Sequence, residues 1–177
     1  MESYTAAKTL VANPRFAAQR LRSLAGLTEC MLDAPIRKLI RKLNGLPYCF
    51  TLQCCYGHFV HAGQSDPHNL APLSTAAAGL SRVTYRIAYV ALCLDNTAEG
   101  IRLLETLKRL PRLDPDNIQF GSAQWFWEQQ VNTYVLQVEP ERFKFMDQAV
   151  LDGPVALTIE RLRTRFFERF MAALEAL

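Results

Sequence analysis

The 177-residue chain contains no apolar run long enough to cross a membrane. A spanning helix needs about 20 consecutive apolar residues, and the longest candidate, Ile87 to Leu94, has only the length of a strand. The first ten residues, MESYTAAKTL, also lack the basic region and apolar segment of a secretory leader. These absences argue against a membrane-spanning protein, and we expect a cytoplasmic protein with no membrane partner.

The motifs of several large enzyme classes are missing as well. The sequence has no P-loop, no G-x-G-x-x-G opening a helix, no H-E-x-x-H and no G-x-S-x-G. No internal repeat is visible, which argues against a solenoid. The usual sequence evidence for a nucleotide-binding, metalloprotease or serine-hydrolase function is therefore lacking.

Composition predicts a single compact domain over residues 1–177. Half of the residues are hydrophobic and 21% are charged, which is ordinary for a globular protein with a sizeable core. The net charge of +3 permits an anionic partner without requiring one. Five cysteines are an odd number, and without a leader they predict free thiols in a reducing compartment.

Residues 1–43 form a helical N-terminal part. Asn13-Pro14 predicts the start of a first helix that ends at Gly26, and Asp33-Ala34-Pro35 predicts the start of a second. One side of this second helix carries four cations, which could contact phosphates or could simply be solvated. The candidate substrate-binding residues on it are Arg37, Lys38, Arg41 and Lys42.

Residues 44–140 form the predicted sheet. The aromatic and thiol-rich residues from Tyr48 to Cys55, followed by Phe59-Val60, favour two strands joined by a tight bend at Tyr56-Gly57. A long loop over 63–81 follows, and loops of this length are often functional. His68 lies in this loop and is a weaker candidate for a site role.

The second half of the sheet reads as a crossover unit. Arg82 to Leu94 predicts one long buried strand, and a capped helix over residues 95–110 leads to a returning strand at 118–120. Val131 to Val138 alternates as a further strand. The sequence thus predicts an α/β (α+β) fold with a mixed β-sheet, N-terminal helices and a crossover helix.

Residues 141–177 predict C-terminal helices. Pro140 and Glu141 suggest a short one, and a long one follows Gly153-Pro154, with an apolar stripe that should pack across the sheet. The Trp125-Phe126-Trp127 cluster is read as core or as the interface of a homo-oligomer, with base stacking as the less common use.

Four reactive side chains crowd the bend of the sheet: Cys54, Cys55, His58 and His61. No paired zinc-ligand spacing is present, so spacing predicts no metal site. Neighbouring residues on a strand point to opposite faces, so at most one cysteine can join one histidine. A thiolate activated by an imidazole is the other chemistry open to this segment, and the sequence does not identify a third, orienting group.

The same segment resembles a known family of tRNA-modifying enzymes. Asn44 at a helix end, then Thr51 to His58 (TLQCCYGH) and an apolar strand, are similar to the Asn-terminated helix and the T-x-S-S-C-S-G-R signature of the third wybutosine-synthesising protein family. Strand, acidic cap and helix in VTYRIAYVALCLDNTAEGIRLLETLKRL, residues 117–122 and residues 131–140 continue the resemblance, which covers roughly residues 33–140.

Within the signature, Thr51, Cys55 and Gly57 match the family. The serines are replaced by Gln53, Cys54 and Tyr56, and the arginine is replaced by His58. The first departures bring larger or differently reactive groups to the bend. The last exchanges a permanent cation for a titratable imidazole.

The resemblance implies transfer of a methyl group from S-adenosylmethionine to a tRNA base. In that interpretation Cys55 and His58 are the catalytic candidates, and His58 relieves the acceptor nitrogen of its proton because an ordinary imidazole pKa suits that task. The cofactor-binding candidates are Thr51, Gln53, Gly57 and His61. Two alternatives stay open: a non-catalytic binding or assembly protein, and a zinc protein that uses the Cys/His residues of 54–61.

Overall fold

The computed structural model describes residues 4–73, 75–140, 143 and 146–177. Within them the chain forms five α-helices and eight strands, besides short 3-10 turns. The helices are α1 (Phe16–Gly26), α2 (Arg37–Gly45), α3 (Ala98–Leu107), α4 (Gln124–Gln129) and α5 (Gly153–Glu175). The strands are β1 (Tyr4–Thr5), β2 (Cys49–Cys55), β3 (His58–Val60), β4 (Val83–Arg86), β5 (Ala88–Leu94), β6 (Ile118–Ala123), β7 (Thr133–Val138) and β8 (Gln148–Leu151).

The strands form two sheets, and the predicted α/β class is confirmed. The larger sheet has the order β1-β6-β7-β5-β2 and the smaller one β3-β4-β8. Every neighbouring pair in the described residues is antiparallel, so the expected mixed sheet is corrected to two antiparallel ones. β5 and β6 nevertheless run parallel on either side of β7, and α3 connects them. The predicted crossover helix is therefore present.

One bent strand pair links the two sheets. Cys55 at the end of β2 lies opposite Tyr89 of β5, and His58 at the start of β3 lies opposite Arg86 of β4, so the register is the same before and after the bend. The long strand predicted over 82–94 is thus wrong as one straight element, because it breaks at Ile87. The two strands around Tyr56-Gly57 do not pair with each other, since each belongs to a different sheet.

α5 covers the core as predicted. Asp152 caps its first turn by accepting a hydrogen bond from Val155 N at 2.9 Å. Its buried stripe includes Ile159, Phe166 and Phe170. Arg163 of the same helix is buried as well, although an arginine is usually solvated. No helix in the described part of the chain is long and apolar enough to cross a membrane.

Two short strands were not predicted, and one predicted short helix lies mostly outside the described residues. The short strands β1 and β8 were not predicted, because two and four residues carry too little pattern to be recognised. The short helix predicted from Pro140 with Glu141 in its first turn falls on residues 141–145, of which only Phe143 is described.

Candidate functional site

The bend at Tyr56-Gly57 is held by groups from two other elements. Asp33, just before α2, accepts a hydrogen bond from Tyr56 N at 2.7 Å with its Oδ2. From α5, Arg163 donates Nη1–H to Gly57 O at 2.8 Å and places its guanidinium 4.0 Å from the centre of the Tyr56 ring. A carboxylate and a buried cation therefore fix the bend from opposite sides.

Gly57 is required where the strand pair changes sheets. Its φ of +91° lies in the region that residues with a side chain rarely adopt. A Cβ at this position would lie 2.9 Å from the Ala88 Cβ and 3.0 Å from the Tyr85 ring. Both the backbone conformation and the close packing thus exclude a larger residue.

Replacing Gly57 by alanine is expected to cost about 2–3 kcal/mol of stability, because backbone strain and overpacking each contribute on the order of 1–3 kcal/mol. Urea unfolding measures the loss. Gly45→Ala is the matched control, since no atom lies within 4 Å of its Cβ position, and this variant should be neutral or stabilising by up to about 1 kcal/mol. Equal stability of the two variants would contradict the assigned strain.

Directly after the bend, the His58 imidazole bridges two acceptors. Nε2 lies 3.2 Å from Asp33 Oδ2, and Nδ1 lies 3.2 Å from Asn69 O in the loop after β3. A carboxylate and a carbonyl oxygen only accept hydrogen bonds, so both ring nitrogens have to carry a proton. His58, which is 3% exposed, is therefore an imidazolium in this arrangement.

The pKa directions agree with this hydrogen-bond pattern. The hydrogen bonds to Asp33 and to the Cys55 sulfur outweigh burial and raise the pKa of His58 to about 10. Burial alone would raise the pKa of Asp33, but the hydrogen bonds from His58 and from Tyr56 N hold it below its ordinary value. The expectation that His58 has an ordinary imidazole pKa is therefore corrected: in this structure it donates protons and does not accept one.

Cys55 joins this pair and Cys54 does not. The ligand atoms of Asp33, Cys55 and His58 all lie within 4.8 Å of one another, and the Cys55 sulfur accepts a hydrogen bond from Gly57 N at 3.4 Å. Burial, with the charges of Asp33 and Cys55, raises the pKa of Cys54 to about 12, so this thiol stays protonated at neutral pH. The strand alternation thus brings one of the two cysteines to the histidine, as predicted.

These three residues open onto a cleft of about 1140 Å³ between the two sheets. Polar groups from both sheets line it, and the Tyr89 hydroxyl donates to Gln53 Oε1 at 3.2 Å across neighbouring strands. Its charged and polar lining residues include Gln53, His68, Arg86, Gln137 and Asp147.

Apolar side chains surround the mouth of the cleft. Met31 is 82% exposed, Met146 55% and Trp125 51%. The Trp125 ring meets Phe126 edge to face at 4.8 Å, and both aromatic residues line the cleft. A flat ring beside hydrogen-bonding groups suits a planar heteroaromatic ligand.

The remaining cofactor-binding candidates lie outside the cleft lining. Thr51 is buried and bonded to the Asn44 side chain, with Thr51 N donating to Asn44 Oδ1 at 2.8 Å. His61 pairs with Gln64 in an isolated bridge and accepts from Gly63 N. With Gly57 in the bend, these residues shape the strands, and Gln53 alone of the four candidates lines the cleft.

The basic residues of α2 are not part of the cleft either. Arg37 turns back to donate to Leu32 O at 3.2 Å, and Lys38 lines a second hollow next to Tyr56. Lys38 and Arg41 are exposed. The structure therefore separates the predicted phosphate-binding surface from the cleft.

Two residues at this site were not singled out from the sequence. Asp33 was read as part of a helix start, but its carboxylate makes no capping hydrogen bond and reaches the bend instead. The apolar stripe predicted for the last helix did not include Arg163. The one available signal was its position next to Leu162, which is buried. That signal is weak, because a cation next to an apolar stripe is usually solvated.

Comparison with known proteins adds no functional assignment. No protein-family model and no curated protein matches the chain. A solved structure described as "Structure of PH1069 protein from Pyrococcus horikoshii" matches 92% of this chain and 91% of that one, with 16% sequence identity and a TM-score of 0.48.

Proposed function

We propose that the cleft binds a nucleotide-like ligand and that the protein transfers a methyl group from S-adenosylmethionine to a tRNA base. The observation that carries the proposal is the cleft itself, which at about 1140 Å³ is slightly larger than the usual small-molecule site of roughly 300–1,000 Å³ and has room for a nucleotide-like ligand. It combines an exposed aromatic ring with the amides of Gln53 and Gln137. The resemblance of residues 33–140 to the wybutosine-synthesising family supplies the reaction.

In this proposal the charged groups at the bend orient the reactants. His58 is a fixed hydrogen-bond donor, because both of its N–H groups are held by acceptors. Methyl transfer needs close alignment of donor and acceptor more than it needs a strong base, and positioning alone can contribute several kcal/mol to a rate. Cys55 adds a polarisable sulfur beside the imidazolium.

A tRNA partner accounts for the exposed cations of α2. Lys38 and Arg41 are exposed, so they can contact the phosphate backbone while an extruded base enters the cleft. All five cysteines are free thiols, which fits the cytoplasmic location that we propose.

Calorimetric titration with S-adenosylmethionine tests the proposal. We expect saturable binding by the unaltered protein and about fivefold weaker binding by Gln53→Ala, because one ligand hydrogen bond contributes about 1 kcal/mol. Trp125→Ala should weaken binding comparably through lost stacking. Gln129→Ala, at the end of α4 and outside the cleft lining, is the matched control and should bind normally.

Absence of binding up to millimolar cofactor would overturn the methyltransferase proposal. The result would favour the second candidate, a binding or assembly protein that uses the apolar mouth of the cleft as its interface. Its supporting observation is the joint exposure of Met31, Trp125 and Met146 around one opening. A homo-oligomer through the Trp125–Trp127 region would bury part of this surface.

A further inference from the structure

Three different metal-ligand types converge at the cleft from three parts of the chain. Asp33 precedes α2, Cys55 ends β2 and His58 begins β3, and each offers one ligand atom within 4.8 Å of the other two. All three residues line the cleft. A carboxylate, a thiol and an imidazole at this separation form a donor set and not just an ion pair.

Each of the three side chains is also oriented by a backbone group. Asn69 O accepts from His58 Nδ1, which turns Nε2 towards Asp33 and Cys55. Tyr56 N donates to Asp33, and Gly57 N donates to the Cys55 sulfur. Histidines that bind a metal usually donate their other ring N–H to a carbonyl or carboxylate in this way, and bound carboxylates are hydrogen-bonded in turn.

We propose that Asp33, Cys55 and His58 bind a zinc ion. In a tetrahedral site with Zn–N and Zn–O bonds of about 2.0 Å, nitrogen and oxygen ligands lie about 3.3 Å apart. The Nε2 to Oδ2 distance here is 3.2 Å. The mixed sulfur, nitrogen and oxygen set selects zinc over magnesium and calcium, which take oxygen ligands.

The arrangement offers three protein ligands, all from residues that line the cleft, and would leave a fourth position for water or a ligand. Catalytic zinc sites have this composition, whereas structural sites are closed by four protein ligands. Histidine and cysteine bind zinc in their deprotonated forms, so binding would release protons to solvent, and in the zinc-loaded protein His58 Nε2 would be a ligand and no longer the hydrogen-bond donor to Asp33. Such an ion would lie where a ligand in the cleft can reach it, and this inference does not depend on methyl transfer.

The experiment loads the full-length protein, first stripped with a chelator, with zinc and measures stoichiometry by elemental analysis and affinity by competition with a chelating dye. We expect one zinc per chain. Asp33→Asn, Cys55→Ser and His58→Gln should each weaken binding by at least about 100-fold, because even loss of an outer hydrogen-bond partner weakens such sites 10- to 100-fold.

The chain offers a neighbouring residue of the same type as a control for each ligand. Cys54→Ser, His61→Gln and Asp66→Asn leave the proposed donor set intact and should bind zinc as the unaltered protein does. Cobalt substitution adds a readout that does not depend on folding stability, since a thiolate-to-cobalt absorption band should appear with Cys54→Ser and be missing with Cys55→Ser.

Two outcomes would overturn the proposal. One is the absence of stoichiometric zinc in the folded, unaltered protein at micromolar free metal. The other is zinc binding that persists in all three ligand variants, which would assign the ion to other thiols or imidazoles. Circular dichroism of each variant separates lost binding from lost fold, and a variant that does not fold is set aside, so that the zinc affinities and cobalt spectra of the remaining ligand variants decide.

Discussion

Replacement of Arg163 by methionine is expected to lower the free energy of unfolding by about 3–5 kcal/mol, the usual cost of removing one partner from a buried charged contact. Methionine keeps much of the volume but none of the donors. The Gly57 carbonyl then loses its 2.8 Å hydrogen bond inside the protein. The rings of Tyr56 and Phe59, 4.0 and 5.2 Å from the guanidinium, lose their cation.

The loss should extend to the loop after β3. Glu160, on the same helix, lies 3.7 Å from Arg163 and accepts a hydrogen bond from Leu73 N at 2.8 Å. Without the arginine this mostly buried carboxylate has no counter-charge at that contact. We therefore expect the change to loosen the loop as well as the bend.

Thermal unfolding followed by circular dichroism measures this effect, and a decrease of roughly 10 °C in Tm corresponds to the expected free energy at this chain length. Arg161→Met is the matched control, because Arg161 is exposed on the same helix and should change stability by less than about 0.5 kcal/mol. Equal effects of the two substitutions would show that the contacts at the bend contribute nothing specific.

The fold followed from local patterns wherever those patterns were long. The helix stop at Gly26 and the long helix after Gly153 needed only apolar spacing and end signals. The break at Ile87 was not visible, because the strands on both sides of it continue the same register. A strand that passes from one sheet into another keeps the same two-residue alternation, so the alternation does not reveal where the sheet changes.

The site could be predicted only as far as its local part. Cys55 and His58 are three residues apart, and strand geometry already allowed one cysteine to meet one histidine. Asp33 lies 23 positions before Tyr56, and Arg163 lies 106 positions after Gly57. Contacts at such separations depend on how α2 and α5 pack on the sheets, which no spacing rule supplies.

Glu139, directly after β7, is a buried acid that makes stability depend on pH. Its side chain is fully buried and accepts a hydrogen bond from Gln137 Nε2 at 2.8 Å, while its Oε1 has no hydrogen-bond partner among the described residues. Burial, with the nearby charge of Asp147, raises the pKa of Glu139 from 4.5 to about 9. At neutral pH the carboxyl is therefore protonated.

The sign of the pH dependence follows from where the proton is bound. Below about pH 4.5 the carboxyl is protonated in both the folded and the unfolded chain, and between 4.5 and 9 the unfolded chain releases the proton that the folded chain keeps. Stability should therefore fall as the pH rises through this window and level off above it. His58, with its pKa raised to about 10, adds a decline in the same direction from about pH 6.5.

Glu139→Gln should remove the first of these contributions. Glutamine keeps the shape and the acceptor for Gln137 but does not ionise, so we expect up to about 5 kcal/mol higher stability than the unaltered protein at pH 8 and less than about 1 kcal/mol at pH 5, on the scale of about 1.4 kcal/mol per pH unit above the unfolded pKa of 4.5. Urea unfolding at both pH values measures this difference in stability.

Glu168→Gln, at an exposed position of α5, is the control and should leave the pH profile unchanged. The decline due to His58 should persist in Glu139→Gln. If the stability of this variant became independent of pH up to 9, the protonated state assigned to His58 would be wrong. If its pH profile were the same as that of the unaltered protein, the protonated state assigned to Glu139 would be wrong.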